Sequence, residues 1–491
     1  MPLDQTAVAR VLGVDVPPLP RPIVAVTHDS RAVVPDGAFV AINGFTSRGS
    51  DFVPQALANG ATLIVAEAPI EGVPTAVVPS DRIALAALAT EFAGNPSHDL
   101  TVYGITGTNG KTTSSYVLHA ILTAAYGESA TGLMTTAEII VGSEHETAIR
   151  TTGEAPQVQG NLARMRDAGV THVVLETSSH GIHLHRVDGT RYAAALFTNL
   201  TRDHLDLHGT MEDYYLVKRR LFEWTAGPKL SNADDVYGAR LATEIEGTLT
   251  FGLAAEADYR ISGERTEGTR TVFELHTPGH GDLTLSIPLL GDYNVHNVAG
   301  AAGLALEMGM SPQLLTSAVS EMAQVPGRFE RVPAAQEFGF EVVVDYAHTD
   351  IGLRAVLDVA RDVAGDHRVI CVFGACGARD KDKRPKMGAA ASELADEAII
   401  TTDDAYNEDP AAIADEVYAG ADPRHTEVII DRRAAIDAAL GQARPGDVVV
   451  VAGKGHETVQ HLPTGDVPFH DTTVVTELLT ALRASSSATT D

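Results

Sequence analysis

Lys111 and Thr112 follow a glycine loop, Gly107-Thr108-Asn109-Gly110, and Thr113 comes next. A β-rich run, Thr101 to Tyr103, leads into the loop, and a helical apolar pattern at Tyr116, Val117, Ala120 and Ile121 leads out of it. A loop at a strand-to-helix junction can wrap backbone N–H groups around phosphates, helped by the positive end of the helix dipole. Lys111 would then reach the outer phosphates, and Thr112 would hold Mg²⁺. The strict P-loop spacing asks for glycine where Ile105 stands, so this loop is a variant. The chemistry implied is the handling of a nucleoside triphosphate.

Four more polar clusters follow apolar runs. They are Glu176 to His180 after Val-Val-Leu, Thr198 to Asp206 after Ala-Leu-Phe, Asp345 to His348 after three valines, and Gly453 to Glu457 after Val448–Ala452. A fifth, Gly374 to Pro385, follows Val369–Phe373. Open α/β sheets bind ligands at the carboxyl ends of their strands. Any one cluster reads more readily as turn chemistry than as a site, but the full set points to sites. Glu176 and His204 offer an oxygen and an imidazole for a metal, although Mg²⁺ prefers oxygen. Taken by itself, Lys218, beside Arg219 and Arg220, reads as a solvated lysine on a helix.

The elements that must position these residues alternate strand and helix, which predicts mostly parallel sheets in an α/β fold. Strands are expected at Phe39–Ile42, Leu63–Ala66, Ala76–Val78, His172–Leu175, Ala193–Thr198, Glu341–Asp345, Val369–Phe373, Ala398–Thr401 and Asp447–Ala452. Helices are expected at Val53–Ala58, Ile83–Phe92, Leu353–Val363 and Met387–Ala395. Alternation in residues 271–276 and 283–290 predicts antiparallel hairpins packed beside the main sheet. Asn95 to Leu100 reads as a linker, and a second break falls near Val325–Pro333. Three domains are expected: residues 1–96, 97–328 and 329–491. The tail from Ser485 to Asp491 is expected to be disordered.

A formal net charge of −29 argues against a nucleic-acid groove or an anionic membrane as the main partner. Two cysteines, Cys371 and Cys376, make no disulfide framework in 491 residues, so a reducing compartment fits. The N-terminal segment lacks the apolar core of a signal peptide, and no run approaches a membrane span. A cytoplasmic protein without membrane insertion, acting as a monomer, is expected.

In order along the chain stand TGTNGKTT, ETSSHG, TNLTRDHLD, NVHN at Asn294–Asn297, PGRFE, DYAHT, RDKDKRP and AGKGHE. This series resembles the Mur ligases over nearly the whole length. His28 to Arg31, with the GAFVAINGF stretch that follows, is similar to the UDP-binding domain of the MurE type and unlike folylpolyglutamate synthases. The resemblance implies a small α/β UDP-binding domain, a central P-loop domain and a C-terminal Rossmann-like domain. It implies an ATP-dependent amide ligase that activates the D-Glu carboxylate of UDP-MurNAc-L-Ala-D-Glu as an acyl phosphate, which a free amino acid then captures. ATP and Mg²⁺ are the cofactors implied. Thr112, Glu176, His204 and Lys218 would hold metal, Lys218 as a carbamate. Lys111, Glu176, His204 and Lys218 would form the catalytic set. Asn297, Arg328 and Asp345 join the loop residues 107–113 as nucleotide contacts. Ser30, Thr151, Thr152, Ser178 and Arg186 match positions that grip the UDP substrate. Arg379, Asp404, Asn407, Gly453 and Glu457 match positions that hold the amino acid.

Three departures bear on the substrate sites. Arg150 stands where Asn is common, Leu184 where Gln is common, and Asp350-Ile351 where Pro-Asp is usual. A fourth bears on specificity. Diaminopimelate-adding relatives carry Asp-Asn-Pro-Arg, whose arginine pairs with a distal carboxylate, whereas Asp404-Ala405-Tyr406-Asn407 stands here. A site without that cation is expected to suit L-lysine, L-ornithine or L-diaminobutyrate, with Glu408 and Asp409 favouring a cationic end. The alternative is meso-diaminopimelate. A reading of another class is a noncatalytic nucleotide-binding scaffold.

Overall fold

The computed structural model describes residues 1–44, 47–148 and 150–488. It is mixed α/β, with parallel sheet cores. Four-stranded, eleven-stranded and six-stranded sheets succeed one another along the chain, with a two-stranded ribbon near the end.

The first sheet is parallel and runs in chain order through Val26–Thr27, Gly37–Val40, Ala61–Ala66 and Thr75–Val77. The expected helix Val53–Ala58 forms as such, and the next starts at Asp81, capped by the Ser80 hydroxyl. Asn95 to Leu100 is more than a linker. It holds a short turn, Pro96–His98, and the buried Ser97 hydroxyl accepts from the Arg191 N–H at 3.0 Å.

In the large sheet, Thr101–Thr106 lies between His172–Glu176 and Ala194–Phe197, all parallel. Register sets Glu176 opposite Ile105 and Phe197 opposite Thr106, so their polar carboxyl ends share one edge. The outer strands differ from expectation. Tyr259–Glu267, Arg270–Thr277 and Gly281–Ile287 extend the same sheet instead of packing beside it. At its other end Thr131–Met134, Glu138–Val141 and Glu144–Thr147 form antiparallel pairs that the sequence reading missed.

The third sheet has the order Glu330–Arg331, Glu341–Asp345, Val448–Ala452, Val369–Phe373, Glu397–Ile400 and Thr426–Val428, parallel except for its first strand. Its central runs, VVVVA and VICVF, are buried throughout, as a strand covered on both faces requires. Helix Asp350–Ala364 is capped by Thr349 and buries Leu353, Val356 and Leu357. The last helix runs from Asp471 to Ala488, so the expected disordered tail is helical as far as Ala488, and residues 489–491 lie outside the described residues.

Contacts divide the chain into two compact units. One comprises Met1–Glu264, Phe273–Leu285 and Val295–Ser320, and the other Arg265–Val272, Ser286–Asn294 and Glu321–Asp491. Among the described residues no helix is long and apolar enough to cross a membrane.

Candidate active site

In the first unit the glycine loop is propped from the strand beside it. The Thr108 N–H donates to the Asn199 carbonyl at 2.8 Å, the Asn109 N–H to Asn199 Oδ1 at 2.9 Å, and the Thr198 hydroxyl to the Asn109 carbonyl at 2.6 Å. These bonds fix the loop from behind. Gly110 ends it in the left-handed region at φ +83°, and a Cβ there would fall 2.1 Å from Asn297 Oδ1. Only glycine allows both that backbone and the approach of Asn297. Lys111 then starts the helix to Tyr126.

The Thr112 hydroxyl donates to Glu176 Oε2 at 3.0 Å, and Lys111 Nζ lies 3.9 Å from Glu176 Oε1. The Lys218 ammonium donates to the Gly107 carbonyl at 2.7 Å. Lys218 is 1% exposed, so the reading of a solvated lysine fails. Helix Met211–Trp224 turns it inward beside buried Tyr214, Leu221 and Phe222. Burial, reinforced by the nearby Lys111 charge, lowers its amine well below the usual lysine range. His204, in the left-handed region at φ +53°, makes its contacts to Asp203 at 3.3 Å and to the His180 ring at 4.6 Å rather than to Glu176. Burial, against the pull of Asp203 and with His180, Lys111 and Lys218 adding to it, holds the ring well below the usual histidine range and favours the neutral form in which imidazole binds metal.

The expected substrate residues gather beside this group. The Thr152 hydroxyl donates to the Glu176 carbonyl at 3.0 Å and accepts from the Ser178 N–H at 3.1 Å. Thr151 reaches Thr136, whose N–H donates to Glu176 Oε2 at 3.1 Å. Arg186 donates to the Thr152 carbonyl at 3.2 Å and pairs with Glu154 at 2.7 Å. Arg150 pairs with the same Glu154 at 2.8 Å, and Leu184 is buried, so both departures are absorbed structurally. The Ser30 hydroxyl donates to Gln55 at 2.6 Å, and a cleft of about 810 Å³ lined by Asn43, Arg48, Ser50, Asp51 and Glu67 opens in the N-terminal segment.

In the second unit, register sets Asp345 opposite Ala452. The Asp345 carboxylate accepts from the Phe329 and Ala347 N–H groups, both at 2.7 Å, and burial raises its carboxyl against the pull of Arg328. Asp403, Asp404 and Glu457 are, among the described residues, the one acidic, His or Cys group whose ligand atoms lie within 4.8 Å of one another. Lys454, which the sequence reading placed in the last cluster without giving it a role, sits among them. Its ammonium donates to Asp404 Oδ1 at 2.8 Å and Glu457 Oε2 at 3.0 Å. The signal was available: it is the lysine of GKGHE. Burial raises the Glu457 carboxyl to about 7, Lys454 opposing and Asp403 and Asp404 adding to the rise. Gly453 lines the same group, since a Cβ there would fall 2.6 Å from Asp403 Oδ2.

Arg379 and Asn407 are exposed on two neighbouring loops. Glu408 joins those loops. It accepts from the Ala378 N–H at 2.6 Å, from Arg384 at 3.0 and 3.1 Å, and pairs with Lys381 at 2.9 Å. Asp409 caps helix Pro410–Tyr418. The expectation that Glu408 and Asp409 favour a cationic substrate end is therefore corrected: both are committed to the fold.

Residues 22–92 match the Mur ligase family catalytic domain, 105–305 the Mur ligase middle domain, and 327–455 the Mur ligase glutamate ligase domain. The UDP-N-acetylmuramoyl-L-alanyl-D-glutamate–2,6-diaminopimelate ligase of Syntrophomonas wolfei is 38% identical over 477 residues, covering 94% of this chain and 96% of the relative. That of Geobacillus kaustophilus is 40% identical over 468 residues, 92% and 94% of the two chains. A solved structure of a ligase of this name superposes with a TM-score of 0.68 at 30% identity, covering 98% of this chain and all of the other. MurF of Acinetobacter baumannii, at 19% identity, shares the fold with a TM-score of 0.68.

Proposed function

Because the chain belongs to the Mur ligase family, of the MurE type, and is an ATP-dependent amide-bond-forming ligase, we propose that it adds the third residue to UDP-MurNAc-L-Ala-D-Glu in peptidoglycan synthesis. The observation that carries this reading is the cluster of Lys111, Thr112, Glu176 and Lys218 around the glycine loop, with Thr152, Ser178 and Arg186 beside it. Residues 1–96, 97–328 and 329–491 would serve UDP, ATP and amino acid in turn, and the reaction would belong to the cytoplasm.

The chain's groups suit the two steps. A D-Glu carboxylate oxygen attacks the γ-phosphorus of ATP and ADP leaves. The amine nitrogen then attacks the acyl carbon and phosphate leaves. Both steps crowd anions, so the loop N–H groups and Lys111 offset charge where it builds. The oxygens of Thr112 and Glu176 suit Mg²⁺, and the imidazole of His204 would be the one nitrogen in an otherwise oxygen set. Lys218 as an ammonium does not suit it. Buried beside Lys111, it suits the site as a carbamate, which would supply an oxygen anion. Bound Mg²⁺ would neutralise phosphate charge. Asn297, Arg328 and Asp345 would meet the nucleotide, and Arg379, Asp404, Asn407, Gly453 and Glu457 the amino acid. Ser30 would act at the uridine end.

The names of the relatives, 2,6-diaminopimelate ligases, favour the diaminopimelate alternative over the basic diamino acids expected first. A basic residue such as L-lysine, L-ornithine or L-diaminobutyrate remains a second reading, carried by Asn407, a neutral group where a distal carboxylate would want a cation. One assay tests both: phosphate release with ATP, Mg²⁺, the UDP-linked dipeptide and each amino acid singly. Diaminopimelate is expected to support turnover, and lysine in its place would install the second reading. No release with any of them would sink the function. Lys218→Ala is expected to lose turnover by a factor of at least about a hundred, with partial rescue by short carboxylates. Unchanged activity would remove the carbamate.

A further inference from the structure

Three backbone segments of the second unit meet at Tyr346. Its N–H donates to the Gly327 carbonyl at 2.9 Å. Gly455, at φ +53°, lets the third segment approach, since a Cβ there would fall 2.8 Å from Tyr346 Cβ and 2.9 Å from the Gly327 oxygen. The side chain then reaches both ways. The Arg328 guanidinium lies over its ring, 4.5 Å from the centroid. Its hydroxyl donates to Glu457 Oε1 at 3.3 Å. The rings of His348 and His456 pack against it at 4.7 and 4.9 Å, so its position is fixed from two more sides. Burial and the Glu457 charge push the phenol far above its usual range, which keeps it a neutral donor.

We propose that Tyr346 is a positioning residue shared by two substrates, its ring holding Arg328 for the nucleotide and its hydroxyl holding Glu457 for the amino acid. The proposal rests on the ligase reading above. Its physical content is that one rigid side chain fixes two cosubstrate contacts at once, so a disturbance of one reaches the other. Glu457 has two anchors, Lys454 on Oε2 and Tyr346 on Oε1. Loss of the second leaves the carboxylate able to turn about the first.

The two functions separate by variant. Tyr346→Phe keeps the ring and loses the hydroxyl. It should raise the KM for the amino acid about tenfold or more, the size of one hydrogen bond to a carboxylate, and leave the KM for ATP unchanged. Tyr346→Leu loses both and should raise both KM values, that for ATP about threefold or more. A side chain that only fills space would move kcat and the melting temperature without this split. An unchanged amino-acid KM in the Phe variant, or an unchanged ATP KM in the Leu variant, would overturn the proposal. Should the Leu variant not fold, Arg328→Ala replaces it. That change should raise the ATP KM and, through the loosened ring, the amino-acid KM; an amino-acid KM that stays put refutes the coupling. Failure of the ligase reading is distinct, since the unaltered protein would then show no amino-acid-dependent phosphate release.

Discussion

Glu457 sits where its ionisation decides what it can hold. Burial and the neighbouring Asp403 and Asp404 place it at about 7, against the opposing charge of Lys454. Below that pH it is a neutral acid, and above it a carboxylate able to receive a substrate ammonium. The kcat/KM for the amino acid, which reports free-enzyme ionisations, is therefore expected to fall as pH drops through about 7. Glu457→Gln should lower kcat/KM and flatten that limb. A profile from about pH 6 to about pH 8 that is the same in both proteins would remove Glu457 from the site. At this scale the sequence marked which residues gather, not what they bind. Thr112 with Glu176, and Thr152 with Ser178 and Arg186, come together as their motifs imply. Lys218 was legible only through the resemblance, because a Lys-Arg-Arg run gives no sign of which face its helix buries. Glu408 and Asp409 misled for the opposite reason. An acidic residue beside a motif looks available until its fold partners, Arg384, Lys381 and a helix N-terminus, are seen.

Helices in the second unit are tied by charge at their starts. Arg432 opens helix Arg432–Gln442 and Asp471 opens helix Asp471–Ala488. Their side chains are both 0% exposed and paired at 2.7 and 2.8 Å, and Arg432 also donates to the Ala452 carbonyl at 3.0 Å. Breaking a buried pair strands a charge, whereas replacing both members need not. Asp471→Ala is expected to destabilise the protein by about 3–5 kcal/mol in urea unfolding, and Arg432→Met with Asp471→Leu by less. Equal losses would mean that the pair acts by packing alone. Elements themselves were read well where a run of buried apolar residues marks them, as in Glu341–Asp345 and Val369–Phe373. They were read poorly at the sheet's edges. Glu144–Thr147 is an exposed strand of Glu, His, Glu and Thr, with no apolar alternation to announce it.

Across the whole molecule, acidic residues outnumber basic ones strongly enough to leave −29. Self-repulsion of that size opposes compaction and is screened by salt. The melting temperature is expected to rise between about 0.01 M and about 0.15 M sodium chloride, and calorimetry checks it; a flat response would mean that the buried pairs, not the surface, set the charge balance. The fold class was readable from the strand–helix rhythm because parallel sheets demand it. Which strands extend which sheet was not, since pairing partners far apart in sequence leave no local mark. An anionic surface also gathers calcium and other stray dications. The group of Asp403, Asp404 and Glu457 would be a natural trap for them, yet the Lys454 ammonium already pairs with Asp404 and Glu457. An intruding dication would have to evict a tenant that is covalently part of the chain and cannot be diluted away, so these carboxylates carry their own countercharge.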